Sequence, residues 1–366
     1  MDNTQVHKNI FYRIHLDPFL LIGIFALMGL SLTVLYSVGG YDMVIRQSIR
    51  LAIALAAMII FAQIPPEMYQ RWTPIVFVIS VLMLIAVLVV GHTGKGAQRW
   101  LDLGVTKFQP SEITKLIMPF MVAYYISQFT LPPKIKDIFI ALLIVIIPTL
   151  LIAKQPDLGT AILIASSGIF VLFLSGISWL YITISIGGLL AFIPVLWFYL
   201  MHDYQRGRVL TLLNPEADPL GAGYHIIQSK IAIGSGGLWG KGWLQGTQSQ
   251  LEFLPERHTD FIFSVFSEEF GFIGIILLLT IYLYIITRGL WIANQAQDAF
   301  TKLVAGSITL TFFVYVLVNI GMVSGLLPVV GVPLPLISFG GTSIVTLLAG
   351  FGVLMSIDTH KRFNRH

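Results

Sequence analysis

Long apolar stretches separated by short polar turns dominate the pattern along this chain. An α-helix needs about 20 predominantly apolar residues to cross the hydrocarbon core of a bilayer. Runs of roughly that length cover approximately residues 17–38, 44–63, 73–91, 111–129, 137–153, 160–176, 179–200, 261–287, 302–325 and 338–357. Because a lipid-buried backbone must satisfy its own hydrogen bonds, this pattern predicts an all-α polytopic membrane protein with about ten transmembrane helices.

The polar segments between these runs are of very unequal length. The longest, at about residues 202–260, lies between the seventh and eighth predicted spans, and a shorter one covers residues 92–110. No internal repeat, linker or low-complexity tract divides the chain. We therefore expect one domain over residues 1–366. The first apolar run has full spanning length behind a polar leader, so we expect it to be an uncleaved signal anchor.

Composition supports a membrane location and limits the possible chemistry. Hydrophobic residues make up 56% of the chain and charged residues only 11%, whereas a soluble domain has about 25% charged residues. The absence of cysteine excludes disulfides, thiolate metal sites and a cysteine nucleophile. The net charge of +4 is too small to indicate nucleic-acid binding, so we expect no nucleic-acid partner, although it suits anionic lipid headgroups.

Cations near the termini and in the short turns predict the orientation. Lys8, Arg13, Lys361, Arg71 and Lys134 are among them, and the positive-inside rule assigns such residues to the cytoplasm. Both termini are then cytoplasmic and the long loop is extracytoplasmic. The opposite face still carries Lys95, Arg99, Lys107, Arg206, Arg208, Lys230, Lys241 and Arg257. A polyanionic ligand at the outer surface would explain that excess.

Acidic residues cluster where the long loop meets the eighth predicted span. Asp260 lies at the boundary, where a helix-capping role worth about 1 kcal/mol is as good an interpretation as a functional one. Glu268 and Glu269 follow roughly two turns further into the span. A carboxylate at the bilayer centre costs on the order of 3 kcal/mol. Because Asp260, Ser264 and Glu268 share one helical face, we expect a polar cavity along it.

Further polar residues flank the other outer loops. Arg99 and Trp100 suit an interfacial anchor with a phosphate-binding guanidinium, and Glu112 and Lys115 can pair across three residues. For this segment alone, an aromatic-belt loop with a structural ion pair is the favoured interpretation. Residues 332–343 are rich in Pro and Gly, and such irregular backbone at membrane depth must be buried by protein or line water. Close helix packing by small residues is the alternative.

Several runs in a fixed order carry a family resemblance. They include GKGAQRWLDLG, QPSE, QPDLGT, GTQSQLEFLPERHTDFIF and NIGMVSGLLPVVGVPLPLISFGGTS. With the ten-span layout, they resemble the SEDS family over nearly the whole chain, and its rod-elongation members more than its division members. Thr342 is one modest departure, since many relatives have serine or alanine there.

The resemblance implies a function and partners. It implies a peptidoglycan glycosyltransferase that polymerises lipid II at the outer face of the bacterial cytoplasmic (inner) membrane during cell elongation. Its expected partners are a class B penicillin-binding protein and other elongasome membrane proteins. The growing glycan would stay linked to undecaprenyl pyrophosphate in the membrane.

The resemblance also implies site residues. It places the essential aspartate of the family at Asp260, its acid and lysine at Glu112 and Lys115, and its tryptophan and arginine at Trp100 and Arg99. An inverting displacement needs one base and a stabilised leaving group, and Asp260 is the expected base. The other candidate substrate-binding residues are Asp157, Arg206, Arg208, His258, Thr259, Glu268 and Ser338. A divalent cation, Mg²⁺ or Mn²⁺, is expected to share the pyrophosphate charge, with Asp260 as its ligand.

Two functions of other classes stay open on the sequence. One is a lipid II flippase, since broken helices and buried acids also suit transport. The other is a noncatalytic scaffold that activates a penicillin-binding protein. A transporter would usually place its determinants near the midplane, so the outward clustering of acids and cations favours an enzyme.

Overall fold

The computed structural model describes residues 14–94, 97–102, 107–201, 203–217, 222–250 and 256–360. Over these residues the chain is a helical bundle with one small antiparallel sheet of strand order β1-β2-β3. The strands are β1 (His92–Gly94), β2 (Ala97–Asp102) and β3 (Lys107–Phe108). The helices are α1 (Pro18–Gln63), α2 (Pro66–Val90), α3 (Pro110–Ile126), α4 (Ile135–Ala153), α5 (Leu158–Leu174), α6 (Trp179–Val195), α7 (Asp203–Leu213), α8 (Ala222–Ser235), α9 (Thr247–Gln250), α10 (Ile262–Asn294), α11 (Ala299–Val323) and α12 (Thr342–Thr359). A π-helical turn (Leu196–Leu200) extends α6, and a 3₁₀ turn (Pro215–Ala217) follows α7.

Helix α1 reverses direction at Gly40. A straight helix of its 46 residues would be about 69 Å long. Instead Gln63 Nε2, at its end, donates to the carbonyl of Ile14, just before its start, at 2.7 Å. Gly40 has φ 65° and ψ −160°, a conformation that glycine adopts readily and other residues avoid. The two halves are therefore antiparallel, and they correspond to the first two predicted spans.

Helix α10 turns back in the same way at Gly271, with φ 64° and ψ −164°. A Cβ placed on Gly274 would collide with Phe270 and lie 3.5 Å from the ring of Phe266, although residues 266 and 274 of a straight helix lie about 12 Å apart. Residues 262–270 therefore fold against residues 272–294. The prediction of one continuous span over 261–287 is corrected: the bundle-length part is residues 272–294, and residues 262–269 are fully buried in protein.

The other apolar runs form helices of the bundle. Seven of the described helices are long and apolar enough to cross a membrane, and α5 is a shorter apolar one. The all-α membrane architecture is thus confirmed, while the number of crossings stays a prediction. No residue of α6 is buried, and most of its residues are exposed.

Both described chain ends lie at one end of the bundle, which we call the terminal end. His15 Nδ1 lies 3.1 Å from Thr359 Oγ1, and the His15 ring stacks on His360 with centroids 3.8 Å apart. Arg288 ties the same region together through the carboxylates of Asp17 (2.7 Å) and Asp358 (3.5 Å). This placement agrees with the prediction that both termini lie on one side of the membrane. We call the opposite end the loop end.

The described parts of the two long polar segments contain regular secondary structure. The segment at 92–110 contains the three-stranded sheet, in which His92 pairs with Trp100 and Leu101 with Phe108. The described part of 202–260 contains α7, α8 and α9. Helix α8 packs on the bundle, since Ser229 Oγ lies 2.8 Å from Ser264 Oγ and also donates to Val323 O.

Candidate active site

Asp260 lies in the turn that leads into the buried part of α10. It is partly exposed, and its backbone carbonyl accepts a hydrogen bond of 2.9 Å from Asn319 Nδ2 of α11. The same amide donates to Val332 O at 2.7 Å. A Cβ on Gly331 would lie 3.5 Å from Asp260 Oδ2, so the carboxylate faces the segment 324–341. The Asn319 amide thus joins the turn that carries Asp260 to the facing segment 324–341.

The segment 324–341 enters the bundle instead of crossing its surface. Ser31 Oγ donates to Ile337 O (2.8 Å), and Tyr282 OH donates to Pro335 O (2.7 Å). These side chains satisfy carbonyls that would otherwise be buried without partners. The expectation that protein buries this irregular backbone is therefore confirmed.

Ser338 fixes the turn that carries Asp260. Its hydroxyl donates to Thr259 O at 2.6 Å and accepts from Leu334 N at 2.8 Å. The neighbouring Phe339 N donates to His258 O at 2.8 Å. His258 and Thr259 therefore meet Ser338 and Phe339 through their backbone, and the hydroxyl of Ser338 is used in positioning this turn.

Glu112 and Lys115 pair as predicted. Lys115 Nζ lies 2.7 Å from Glu112 Oε1, with only about a tenth of either side chain exposed. Thr346 Oγ1 of α12 donates to the other carboxylate oxygen at 2.8 Å, and the Lys115 ammonium lies 5.8 Å from the ring centroid of Tyr315. Because Glu112 already balances its charge, Lys115 contributes less net positive charge to the site than an isolated lysine would.

Arg99 and Asp157 form a second pair near the site. Arg99 Nη2 donates to Pro156 O at 2.6 Å, and its Nε lies 3.6 Å from Asp157 Oδ2. Asp157 caps α5 by accepting from Thr160 N at 3.2 Å. A Cβ on Gly159 would lie 2.8 Å from the carbonyl of Val330, whose neighbour Gly331 faces Asp260. About a third of the Arg99 side chain is exposed, which leaves it able to meet an anion. Trp100, next in β2, is partly buried.

Two predicted site residues, Arg206 and Arg208, lie on α7. The described contacts of Arg206 are with the end of α6 and with α7 itself. Arg206 donates to the carbonyls of Trp197 (2.8 Å) and Phe198 (3.0 Å) and pairs with Asp203 (3.6 Å). It thereby caps the π-helical turn after α6, as a cation suits a helix C-terminus. Arg208 lies on the same helix. The roles of both in binding substrate stay predictions.

Glu268 is separated from Asp260 by the geometry of α10. Its side chain is fully buried, and Oε1 accepts from Lys241 Nζ (2.7 Å), Thr247 Oγ1 (3.1 Å) and Gln248 N (3.0 Å). Ser264, on the predicted common face, is also fully buried. Glu268 is thus bound by Lys241 and its neighbours, and the polar cavity shared with Asp260 stays a prediction.

Two residues of this site were missed by the sequence analysis. Arg50 packs its guanidinium 4.0 Å from the Phe339 ring centroid, and Asn319 holds Asp260. Each lies inside a predicted span, where a charge such as that of Arg50 is a functional signal by default.

Arg50 also lines a groove between α1, α3 and α12. The groove has a volume of about 410 Å³, and Glu112, Thr342 and Thr346 contribute its other polar side chains while the remaining lining is mostly apolar. A second cavity of about 490 Å³ continues from Phe61 towards Trp72 along α2. Together they offer an apolar surface with a cation at the end nearest Phe339.

His225 of α8 lies against the start of α10. Its ring stacks on that of Phe261, with centroids 5.6 Å apart. Burial lowers the pKa of His225 below its ordinary value, and the charge of Glu256 opposes this only partly. His225 is therefore neutral at physiological pH.

The described residues contain no group of three or more His, Cys, Asp or Glu side chains arranged to hold a metal. A Mg²⁺ ion usually keeps several waters and binds one or two carboxylates together with substrate phosphates. The single carboxylate of Asp260 is compatible with a Mg²⁺ site of this kind, in which waters and phosphate oxygens supply the remaining ligands.

Comparison with known proteins gives consistent matches over the full chain. A family model described as "Cell cycle protein" (FTSW_RODA_SPOVE) matches residues 10–363. Peptidoglycan glycosyltransferase MrdB of Escherichia coli (strain K12) is 58% identical over 364 residues, which cover 99% of this chain and 98% of the relative. A probable peptidoglycan glycosyltransferase FtsW of Trichlorobacter lovleyi is 34% identical and covers 93% of each chain.

Solved structures agree with these matches. A chain from a study of the structural coordination of polymerization and crosslinking by a peptidoglycan synthase complex has a TM-score of 0.82 and 31% identity, covering 93% of this chain and 97% of that one. The rod shape determining protein RodA of Thermus thermophilus has a TM-score of 0.71 and 26% identity, covering 94% of this chain and 98% of that one. The likeness therefore extends across the whole bundle.

Proposed function

Since the chain belongs to the FtsW/RodA/SpoVE family of cell cycle proteins, we propose that it is a peptidoglycan glycosyltransferase that polymerises lipid II. The observation that carries this proposal is the 58% identity to a peptidoglycan glycosyltransferase over nearly the full length of both chains. The placement of Asp260 supports it. This carboxylate is partly exposed, and its turn is held by Asn319 and Ser338.

The chemistry is a single displacement with inversion. Asp260 accepts the proton of the 4-hydroxyl of an incoming lipid II as that oxygen bonds to the anomeric carbon of the growing glycan. The bond from this carbon to the undecaprenyl pyrophosphate breaks at the same time, and its electron pair leaves with the pyrophosphate. The step needs no covalent enzyme intermediate, since one carboxylate and a stabilised leaving group suffice.

The leaving pyrophosphate requires positive charge close to Asp260. Arg99 lies beside the segment that faces the carboxylate, and about a third of its side chain is exposed. Arg50 lies at the groove between α1, α3 and α12. We assign the pyrophosphate contact to these two arginines, because planar guanidinium groups bind phosphate oxygens in pairs. The apolar groove beyond Arg50 takes the polyprenyl chain.

A divalent cation, Mg²⁺ or Mn²⁺, fits the same scheme. Asp260 would hold it, and when bound it would neutralise charge on the pyrophosphate. Chelation should then stop polymerisation by the purified protein, and addition of Mg²⁺ or Mn²⁺ should restore it. If the rate ignores both treatments, the ion has no part in the reaction.

The working location is the outer face of the bacterial cytoplasmic membrane, with a class B penicillin-binding protein as partner. The likeness to a chain from a polymerising and crosslinking synthase complex supports that partner. Adding the purified transpeptidase should raise the rate of glycan formation. An unchanged rate over a range of partner concentrations would count against this pairing.

The central test is Asp260→Asn in polymerisation of purified lipid II. The substitution keeps size and hydrogen-bonding capacity but removes the base, so we expect glycan formation to fall by about 10²–10⁴-fold. Glu216→Gln is the control, because it makes the same change from carboxylate to amide at an exposed position of the long loop.

Three outcomes of this assay are informative. Loss of polymerisation in Asp260→Asn alone supports the base. Normal polymerisation in Asp260→Asn removes Asp260 from that role. A native protein that moves lipid II across liposome membranes without making glycan would favour the flippase instead.

A further inference from the structure

A short segment of the long loop carries exposed apolar side chains at the loop end. We call residues 236–244 the rim loop. Leu238 is 65% exposed and Trp239 81% exposed, while Trp243 and Leu244 are exposed by more than two fifths. Large apolar groups on this scale usually mark contact with a partner or a membrane.

The rim loop is held firmly against the reversal of α10. Lys241 N donates to Glu268 O at 2.9 Å, and Gly242 N donates to Glu269 O at 3.1 Å. A Cβ on Gly240 would collide with Glu269 O, so only glycine permits this backbone contact. The exposed side chains therefore project from a fixed backbone.

Two further hydrogen bonds place the rim loop beside the first residues of the bundle-length part of α10. Phe272 N donates to Gly237 O at 2.9 Å, and Ile273 N donates to Leu238 O at 3.1 Å. Phe272 and Ile273 begin the bundle-length part of α10 and are 52% and 46% exposed. Leu238 thus adjoins the apolar outer surface of a membrane-crossing helix.

A second contact joins the rim loop to the first helix. Trp243 Nε1 donates to Thr33 O at 3.0 Å, and its ring lies 5.6 Å from that of Tyr36. Tyr36 is itself exposed and lies in the last turn before Gly40. Two aromatic rings are therefore placed at the rim of the bundle, where aromatic residues favour the membrane–water boundary.

We propose that the rim loop inserts into the headgroup region of the outer leaflet, with Leu238 and Trp239 as its anchors. Continuity with the apolar surface of α10 favours lipid over a protein partner. The charge of Lys241 does not oppose insertion, because its ammonium is directed inward to Glu268. This proposal does not depend on the glycosyltransferase activity.

The absence of cysteine makes a direct test possible in the full-length chain. Trp239→Cys and Leu238→Cys are each labelled with a polarity-sensitive fluorophore in nanodiscs of ordinary or chain-brominated phospholipid. Ile276→Cys, at an exposed apolar position of α10, gives the lipid-facing reference. Glu216→Cys, at an exposed acidic position, gives the aqueous reference.

Insertion predicts that labels at 238 and 239 emit at shorter wavelength than the label at 216. It also predicts at least about twofold more quenching by brominated lipid than at 216, because the interface lies within reach of the acyl chains. Two results would overturn the proposal. One is that the labels at 238 and 239 show the same emission wavelength and the same quenching as the label at 216. The other is that their emission shifts to shorter wavelength only after a penicillin-binding protein is added, which would make the rim loop a protein interface.

Discussion

Asn319→Ala tests whether an amide of α11 holds the catalytic turn. Asn319 Nδ2 donates to Asp260 O at 2.9 Å and to Val332 O at 2.7 Å, and the side chain is fully buried. Alanine removes both donors without adding bulk. The turn and the facing segment then lose one of the side chains that join them, while the hydrogen bond from Ser338 to Thr259 remains.

The size of the effect follows from the groups left behind. Each buried polar group that loses its partner costs about 1–3 kcal/mol, so two carbonyls would cost about 2–6 kcal/mol. The native Asn319 Oδ1 is itself buried without a hydrogen-bond partner among the described residues, and its removal offsets about 1–3 kcal/mol of that cost. We expect a net loss of about 1–3 kcal/mol, and if half of it appears as misplacement of Asp260, polymerisation slows by about 2- to 13-fold.

The assay is the rate of glycan formation from lipid II at saturating substrate, with thermal unfolding measured on the same preparations. Ser307→Ala is the matched control. Ser307 is a fully buried residue of α11 that donates to Ser167 O at 2.6 Å, about 18 Å from Asn319 along the helix. It should lower stability but leave kcat unchanged. Equal loss of kcat in both variants, or a normal rate in Asn319→Ala, would refute the positioning role.

Other predictions concern stability, the rim loop and pH. Arg288→Met should destabilise the fold by about 3–5 kcal/mol, because it leaves Asp17 buried without its cation; thermal unfolding checks this, and adding Asp17→Asn should recover part of the loss. Glu268→Gln should speed hydrogen exchange at the amides of residues 241–248, because the amide cannot hold Lys241 as the carboxylate does; unchanged exchange there would contradict it. Burial keeps the pKa of His225 below its ordinary value, so as pH falls the unfolded chain takes up a proton first. Its contribution to stability should be complete above the unfolded pKa and decline as pH drops towards the folded value, and His225→Phe should flatten this part of the unfolding-midpoint profile.

The features that follow short-range rules were predictable from sequence. Apolar runs indicated the helices because lipid selects composition over a whole span. Glu112 and Lys115 pair because three residues bring side chains to one helical face, and their 2.7 Å contact confirms this. The positions of Gly40 and Gly271 are visible in the sequence, but a glycine inside an apolar run is common, so neither predicts a reversal by itself.

Features that depend on the reversal of α10 were not predictable in this way. Residues 262–269 are buried by protein, and hydropathy does not distinguish burial in protein from burial in lipid. The partner of Glu268 is Lys241, which lies in a polar loop that gives no local sign of that contact. The three-stranded sheet formed by residues 92–108 was missed because its strands are short and lack a regular alternation.

The depth of Asp260 is a consequence of this same reversal. Asn319 lies one turn before the loop end of α11 at Val323, and its amide binds Asp260 O, so the catalytic turn lies about 6 Å inside that end of the bundle. For Asp260 to act as the proposed base, the acceptor sugar has to reach this depth. Irregular backbone at this depth is tolerable only because Tyr282, Ser31 and Ser338 satisfy it. The position of the proposed base thus depends on these buried hydroxyl groups as well as on the aspartate itself.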